Sequence, residues 1–200
     1  MIILERYFNI NEDKHSIKCK VYFERNDNIK NIILFCHGFG GNKDNNAASN
    51  FAQKTLKKHR DTVIVTFNWP SHGDDVKKKI RLEDCDDYLT IVIKYIKERW
   101  KTDNVYCYGT SFGGYCSLKY IKEHENPFKK IALRCPAVCM HDVLMHSIMS
   151  KDEWEKIERG KDVLAGFDKN ITVDSTFMNQ LKEKLLDKFE ANIFRELRQN

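Results

Sequence analysis

Two hundred residues are the length of one domain, and 42% apolar with 32% charged residues excludes an intrinsically disordered chain, because twelve Phe and eight Tyr can build a core. No run of about 18 apolar residues occurs, so no membrane span is expected, and MIILERYFNI places Glu5 and Arg6 directly after its apolar start, which is not a signal-peptide pattern. The formal charge of +5 is spread over interspersed basic and acidic residues, and Lys77, Lys78 and Lys79 form a short run rather than a stripe on one face, which argues against a nucleic-acid partner.

Residues 15–24 alternate, with Ile17, Cys19, Val21 and Phe23 on one face, and predict a half-buried strand. Asn26, Asp27 and Asn28 supply a turn. NIILFC (31–36) is apolar on both faces, as a central parallel strand must be. A helix is expected over 46–59, with Ala47, Phe51, Ala52, Thr55 and Leu56 on one side, and then a buried strand over 62–67, closed by Pro70 and Gly73. Residues 82–100 predict a long helix whose first turns carry Glu83, Asp84, Asp86 and Asp87, suited to the positive end of its dipole. A third central strand at 104–109 leads into a helix at 113–124, and 129–138 reads as a fourth buried strand stopped by Pro136. Alternation of this kind predicts an α/β fold, a mostly parallel central sheet with helices on both faces.

After about residue 140 the pattern turns helical. Short helices are expected over 141–159, and an amphipathic helix over 177–197, where Met178, Leu181, Leu185, Phe189, Ile193 and Leu197 form one stripe. No further strand is expected. The chain thus reads as one domain over 1–200, with a core at 1–140 and a cap-like helical region at 141–200. Seven cysteines without an export signal read as free thiols of a cytoplasmic protein, with Cys19, Cys36, Cys107, Cys116 and Cys135 packed as small hydrophobes.

Chemistry concentrates in two loops. GTSFGG (109–114) sits between a predicted strand and a predicted helix, where G-x-S-x-G makes a tight turn that pushes the Ser111 hydroxyl off the sheet edge and aims the Phe112 N–H at the same point. A serine that merely caps the helix is the plainer reading of the same residue. HGFGG (37–41) follows the first central strand, and its glycines let the Phe39 N–H act as a second donor to a developing oxyanion. His37-Gly38-Phe39-Gly40-Gly41, Phe67-Asn68-Trp69-Pro70-Ser71-His72-Gly73 and Gly109-Thr110-Ser111-Phe112-Gly113-Gly114 together resemble three successive landmarks of the α/β-hydrolase superfamily, nearest its serine esterases, acylglycerol lipases and aminopeptidase-like members. The resemblance covers about residues 15–140. It implies Ser111 as the catalytic nucleophile, the Phe39 and Phe112 amides as oxyanion hole, structural roles for His37 and His72, a small-molecule ester or acyl substrate, and no cofactor.

The sequence departs from that family at its end. The family carries its triad Asp or Glu after a seventh strand and its His after an eighth, whereas the last histidine here is His146. The general base and acid are therefore unassigned. His141 and Asp142 follow the fourth central strand and would emerge on the Ser111 edge, so a relocated pair is one reading and an ordinary helix start the other. Cys135, Cys139, His141 and His146 match no zinc spacing, and no metal is expected. Met140, Leu144, Met145, Ile148 and Met149 read either as an acyl pocket or as the inner face of a cap helix. A sheet that stops at the fourth central strand leaves an open edge, to be covered by the 177–197 helix or paired in a homodimer. Two functions follow: ester hydrolysis through Ser111, or a truncated or degenerate hydrolase that serves as a binding module, with a shortened gene product as the remaining reading.

Overall fold

The computed structural model describes residues 2–25, 28–75, 77, 79–166 and 168–184. Six strands, β1 (Ile3–Glu12), β2 (His15–Glu24), β3 (Asn31–Cys36), β4 (Thr62–Phe67), β5 (Val105–Thr110) and β6 (Lys130–Arg134), form one sheet in the order β1-β2-β4-β3-β5-β6. The four strands from β4 to β6 in that order run parallel; β2 joins β4 antiparallel, and β1 pairs with β2 across a tight turn at Asp13 and Lys14. Asp13 takes φ 50° there. The alternation of residues 3–12 about Leu4, Phe8 and Ile10, followed by that turn, is the local signal of β1, a strand not among the elements expected above.

Helices α1 (Asn46–Leu56), α2 (Leu82–Trp100) and α3 (Phe112–Glu123) connect the parallel strands. Asn45 caps α1 by accepting from the Ala48 N–H. One sheet face packs α1 through Tyr22, Phe35 and Ile64 against Ala48, Ala52 and Leu56, while the other carries the larger core with α2, α3 and the segment after β6. Because α1 covers the second face of β2, that strand is not half-buried as expected: Lys20 and Tyr22 lie inside. Lys20 keeps its charge there by pairing with Glu5 at 2.8 Å and by lying over the rings of Tyr7 and Tyr22.

Beyond β6 come α4 (Met140–Val143), a π-helical turn over Leu144–Ile148, α5 (Lys151–Glu158), a hairpin of β7 (Val163–Ala165) and β8 (Ile171–Val173), and α6 (Ser175–Glu183). The structure differs from the sequence expectation at 129–138, at Cys135 and in two added strands. The 129–138 stretch is not a buried strand: β6 spans five residues and alternates exposed with half-buried positions, because β5 is its sole partner in the described sheet. Cys135 is accordingly exposed. The two short strands β7 and β8 appear where none was expected, since three-residue strands fall below the length at which alternation is legible. The 177–197 helix is described as α6; residues 185–197 of that expectation lie outside the described residues. α6 packs on α2 and α4 rather than over β6, with the Gln180 side-chain oxygen accepting from the Leu82 N–H at 3.0 Å.

Candidate active site

Parallel β3, β4 and β5 deliver three loops to one edge of the sheet. The central one is the β5–α3 junction. Ser111 there adopts φ 50° and ψ −116°, a conformation that L residues rarely hold. It is held from both sides: its N–H donates to the Arg134 carbonyl at 3.1 Å, and its carbonyl accepts from Ala137 at 3.1 Å and Tyr115 at 3.0 Å. The flanking glycines are demanded by close approach. A Cβ on Gly113 would sit 2.2 Å from the Cys36 carbonyl oxygen, and one on Gly109 would sit 2.9 Å from the Gly114 Cα.

The β3–α1 loop lies directly against this turn. A Cβ on Gly38 would be 3.3 Å from the Ser111 Cβ and 3.8 Å from its Oγ. Phe112 is the first residue of α3, so its N–H has no partner within the helix. Neither that N–H nor the N–H of Phe39 makes a hydrogen bond among the described residues. The rings of Phe39 and Phe112 are buried and meet edge to face at 5.7 Å, so any polar role of these residues falls to their backbone. Structure thus brings Phe39, Ser111 and Phe112 together.

An aromatic and polar layer beneath fixes the two loops. The His72 ring lies parallel to Phe112 and edge-on to Phe39, and the Trp69 indole N–H donates to the His37 carbonyl at 2.9 Å. Asn68 accepts from the Lys43 N–H at 2.7 Å, tying the β4 loop to the β3 loop. His37 Nδ1 donates to the Gly38 carbonyl and His72 Nδ1 to the Pro70 carbonyl, each at 2.9 Å. Both rings therefore stand as loop braces. Burial pushes His37 down to about 4, and burial together with the neighbouring His37 pushes His72 down to about 3, so both are neutral at pH 7.

No side chain among the described residues hydrogen-bonds the Ser111 hydroxyl. His141 and Asp142 do pair, Nδ1 to Oδ1 at 2.9 Å, but the imidazole packs edge-on to Trp154 and lines a cleft of about 540 Å³ between α4, α5 and α6, of which Ser111 is not a wall. Cys135, Cys139, His141 and His146 do not converge on one point among the described residues. Met140, Leu144 and Met149 are buried in the main core.

One feature near the site had no sequence signal beyond a glycine. The β7–β8 turn rests on the β3–α1 loop: a Cβ on Gly166, at φ 89°, would lie 3.5 Å from the Gly40 Cα and 3.9 Å from the Phe39 ring. The hairpin is tethered through Lys169 to Glu153 at 2.7 Å. At its far end Asp174 accepts from the Phe177 N–H and takes a two-point ion pair from Arg81, at 2.6 and 3.0 Å.

Comparison with known proteins bears on this geometry. The sequence model of the alpha/beta hydrolase fold matches residues 31–181. A Mycoplasma genitalium protein carried under the provisional name esterase/lipase 2 is 25% identical over 127 residues, which are 64% of this chain and 46% of that protein. The match therefore spans less than half the length of that relative. Among solved structures, Est1E from Butyrivibrio proteoclasticus, with ferulic acid bound, aligns at a TM-score of 0.70 with 16% identity over 88% of this chain and 70% of its own. A protein from Agrobacterium vitis S4, provisionally named a hydrolase, aligns at 0.65 with 14% identity over 92% and 73%. These two similarities are of fold.

Proposed function

The chain belongs to the alpha/beta hydrolase fold family, and from that membership we propose that it hydrolyses carboxylic esters of small molecules through an acyl-enzyme on Ser111. The observation that carries the reading is the strained Ser111 turn with Gly38 packed against its side chain and two amide N–H groups beside it that have no partner among the described residues. In this reading the Ser111 Oγ attacks the carbonyl carbon, and the Phe39 and Phe112 amides hold the oxygen as it gains charge. The C–O bond to the alcohol then breaks, and water attacks the acyl-serine to release the acid. The residue that takes the serine proton is left unassigned. Thioester and peptide carbonyls would use the same machinery. The segment after β6 serves as a cap, its hairpin turn resting on the Phe39–Gly40 loop. A cytoplasmic location belongs to the same reading, supported by the buried free thiols of Cys19, Cys36, Cys85, Cys107 and Cys116; no helix among the described residues is long and apolar enough to cross a membrane.

A second reading is a non-catalytic binding module. It is favoured by the Ser111 hydroxyl having no imidazole partner among the described residues, because serine is a weak nucleophile without a base. A fluorophosphonate probe separates the two. Labelling of Ser111, seen by mass spectrometry and lost in Ser111→Ala, is the expected result, together with hydrolysis of short p-nitrophenyl esters above that of the variant. Folded protein that neither labels nor hydrolyses would overturn ester hydrolysis in favour of the binding module.

A further inference from the structure

The two faces of the sheet are unequally covered. α1 is centred on β2 and β4, and its apolar contacts end at Phe35, Ile33 and Tyr108. Farther out on the same face the register sets Tyr106 beside Lys130, Tyr108 beside Ala132 and Thr110 beside Arg134. Lys130, Ala132 and Arg134 are exposed, and Tyr106, Tyr108 and Thr110 are half-buried. A groove of about 410 Å³ runs between α1 and these strands, with Phe35, Phe51 and Tyr108 as its floor and Lys54 and Arg134 on its rim. The floor is a continuous aromatic surface: Phe51 and Tyr108 lie 4.6 Å apart, and Phe35 and Tyr108 lie 5.1 Å apart.

Size and charge specify what fits. From β3 to β6 is two strand spacings, about 9.6 Å, and packed helices sit about 8–10 Å apart, so the strip beside α1 that the described residues leave uncovered is one helix wide. Among the described residues Lys54, Lys130 and Arg134 have no ion-pair partner and no carboxylate lines the groove. A second copy of this chain fits poorly, since a two-fold contact sets the same cations against themselves. Antiparallel pairing of two β6 edges about Ala132 would likewise place Lys130 opposite Arg134 of the other copy. A strand added along β6 would leave the aromatic floor bare.

We propose that this strip is a docking surface for an acidic amphipathic helix of another protein. Its apolar face lies on Phe51, Tyr108 and Ala132, and its carboxylates meet Lys54, Lys130 and Arg134. The site stands apart from the ester-hydrolysis reading and does not depend on it.

The test uses the full chain and a stapled, fluorescein-labelled helix built of Leu and Glu, with the Leu and Lys version as control. Fluorescence anisotropy should show binding of the acidic helix alone, weakened by salt and reduced roughly tenfold or more in the Lys54→Glu/Lys130→Glu variant. The Lys151→Glu/Lys182→Glu variant, with the same change of net charge elsewhere on the surface, should bind as the parent does. Amide hydrogen exchange should slow in α1, β5 and β6 on binding. Absence of binding, equal weakening by both double variants, protection confined to the β6 edge, or a dimer in sedimentation that the peptide does not dissociate would each overturn the proposal.

Discussion

Ser111 carries the main tension in the molecule at the scale of a single residue. Its φ of 50° and ψ of −116° cost on the order of 1–3 kcal/mol for a residue with a side chain, and hydrogen bonds to the Arg134 carbonyl and from the Ala137 and Tyr115 N–H groups hold it there. Glycine adopts this conformation without the Cβ clash. Ser111→Gly should therefore raise stability by about 1 kcal/mol and the melting temperature by roughly 2–4 °C, while abolishing fluorophosphonate labelling; unchanged or lowered stability would mean the turn is unstrained. Gly113 is the opposite case. Its Cβ would overlap the Cys36 and His37 carbonyl oxygens, both backbone atoms that cannot rotate away. Gly113→Ala should cost at least about 3 kcal/mol, read as a lowered urea midpoint or as failure to fold. Both positions were legible in the sequence because a strand–turn–helix junction is local. A base for Ser111 was not legible, because its place depends on which distant loop reaches the site.

At the scale of elements, α6 shows how a sequence pattern can be right while its partner stays hidden. The stripe of Met178 and Leu181 predicts the buried face, and both are buried. That α6 lies against the start of α2 rather than over β6 is decided by polar contacts. Arg81 at the head of α2 offers no side-chain cap, and Gln180 supplies an acceptor to Leu82 instead. Asp174 then joins the elements by capping α6 and binding Arg81. Burial pushes the Asp174 carboxyl up, but Arg81 and the Phe177 N–H outweigh it and hold it below the ordinary carboxylate range. Asp174→Ala should cost roughly 2–3 kcal/mol through the lost cap and ion pair. Hydrogen exchange should quicken across 163–183 before it does in the sheet. Lys79→Ala, removing a solvent-exposed cation from the same carboxylate, should leave the urea midpoint nearly unchanged.

For the whole molecule, the two buried histidines under the Ser111 edge make stability sensitive to acid. In the unfolded chain each binds a proton near its ordinary value of about 6.5, whereas the folded chain resists protonation until about 4 for His37 and about 3 for His72. The unfolded state thus binds more protons between these values, and stability must fall as pH falls from about 6.5 toward 4, by about 1.4 kcal/mol per pH unit for each histidine. Urea unfolding from pH 7 to pH 4 checks this. His72→Asn, which retains an N–H near the Nδ1 position, should lower stability at pH 7 yet flatten the slope. A slope unchanged by that variant would place the titrating groups elsewhere.

The parallel strands β3, β4 and β5, the long α2 and the two loops that meet at Ser111 can be read from the chain alone. Each is written in a local pattern: apolar runs bounded by turns, helical periodicity, or glycines where a side chain would strike backbone. Packing in three dimensions set which faces of β2 and β6 are covered, the exposure of Cys135, and the contact of a short hairpin with the Phe39–Gly40 loop. It also decided that His141 lines a cleft of which Ser111 is not a wall. The physical reason is common to all four. Burial and encounter depend on which elements pack against a segment, and no local periodicity within the segment records its neighbours.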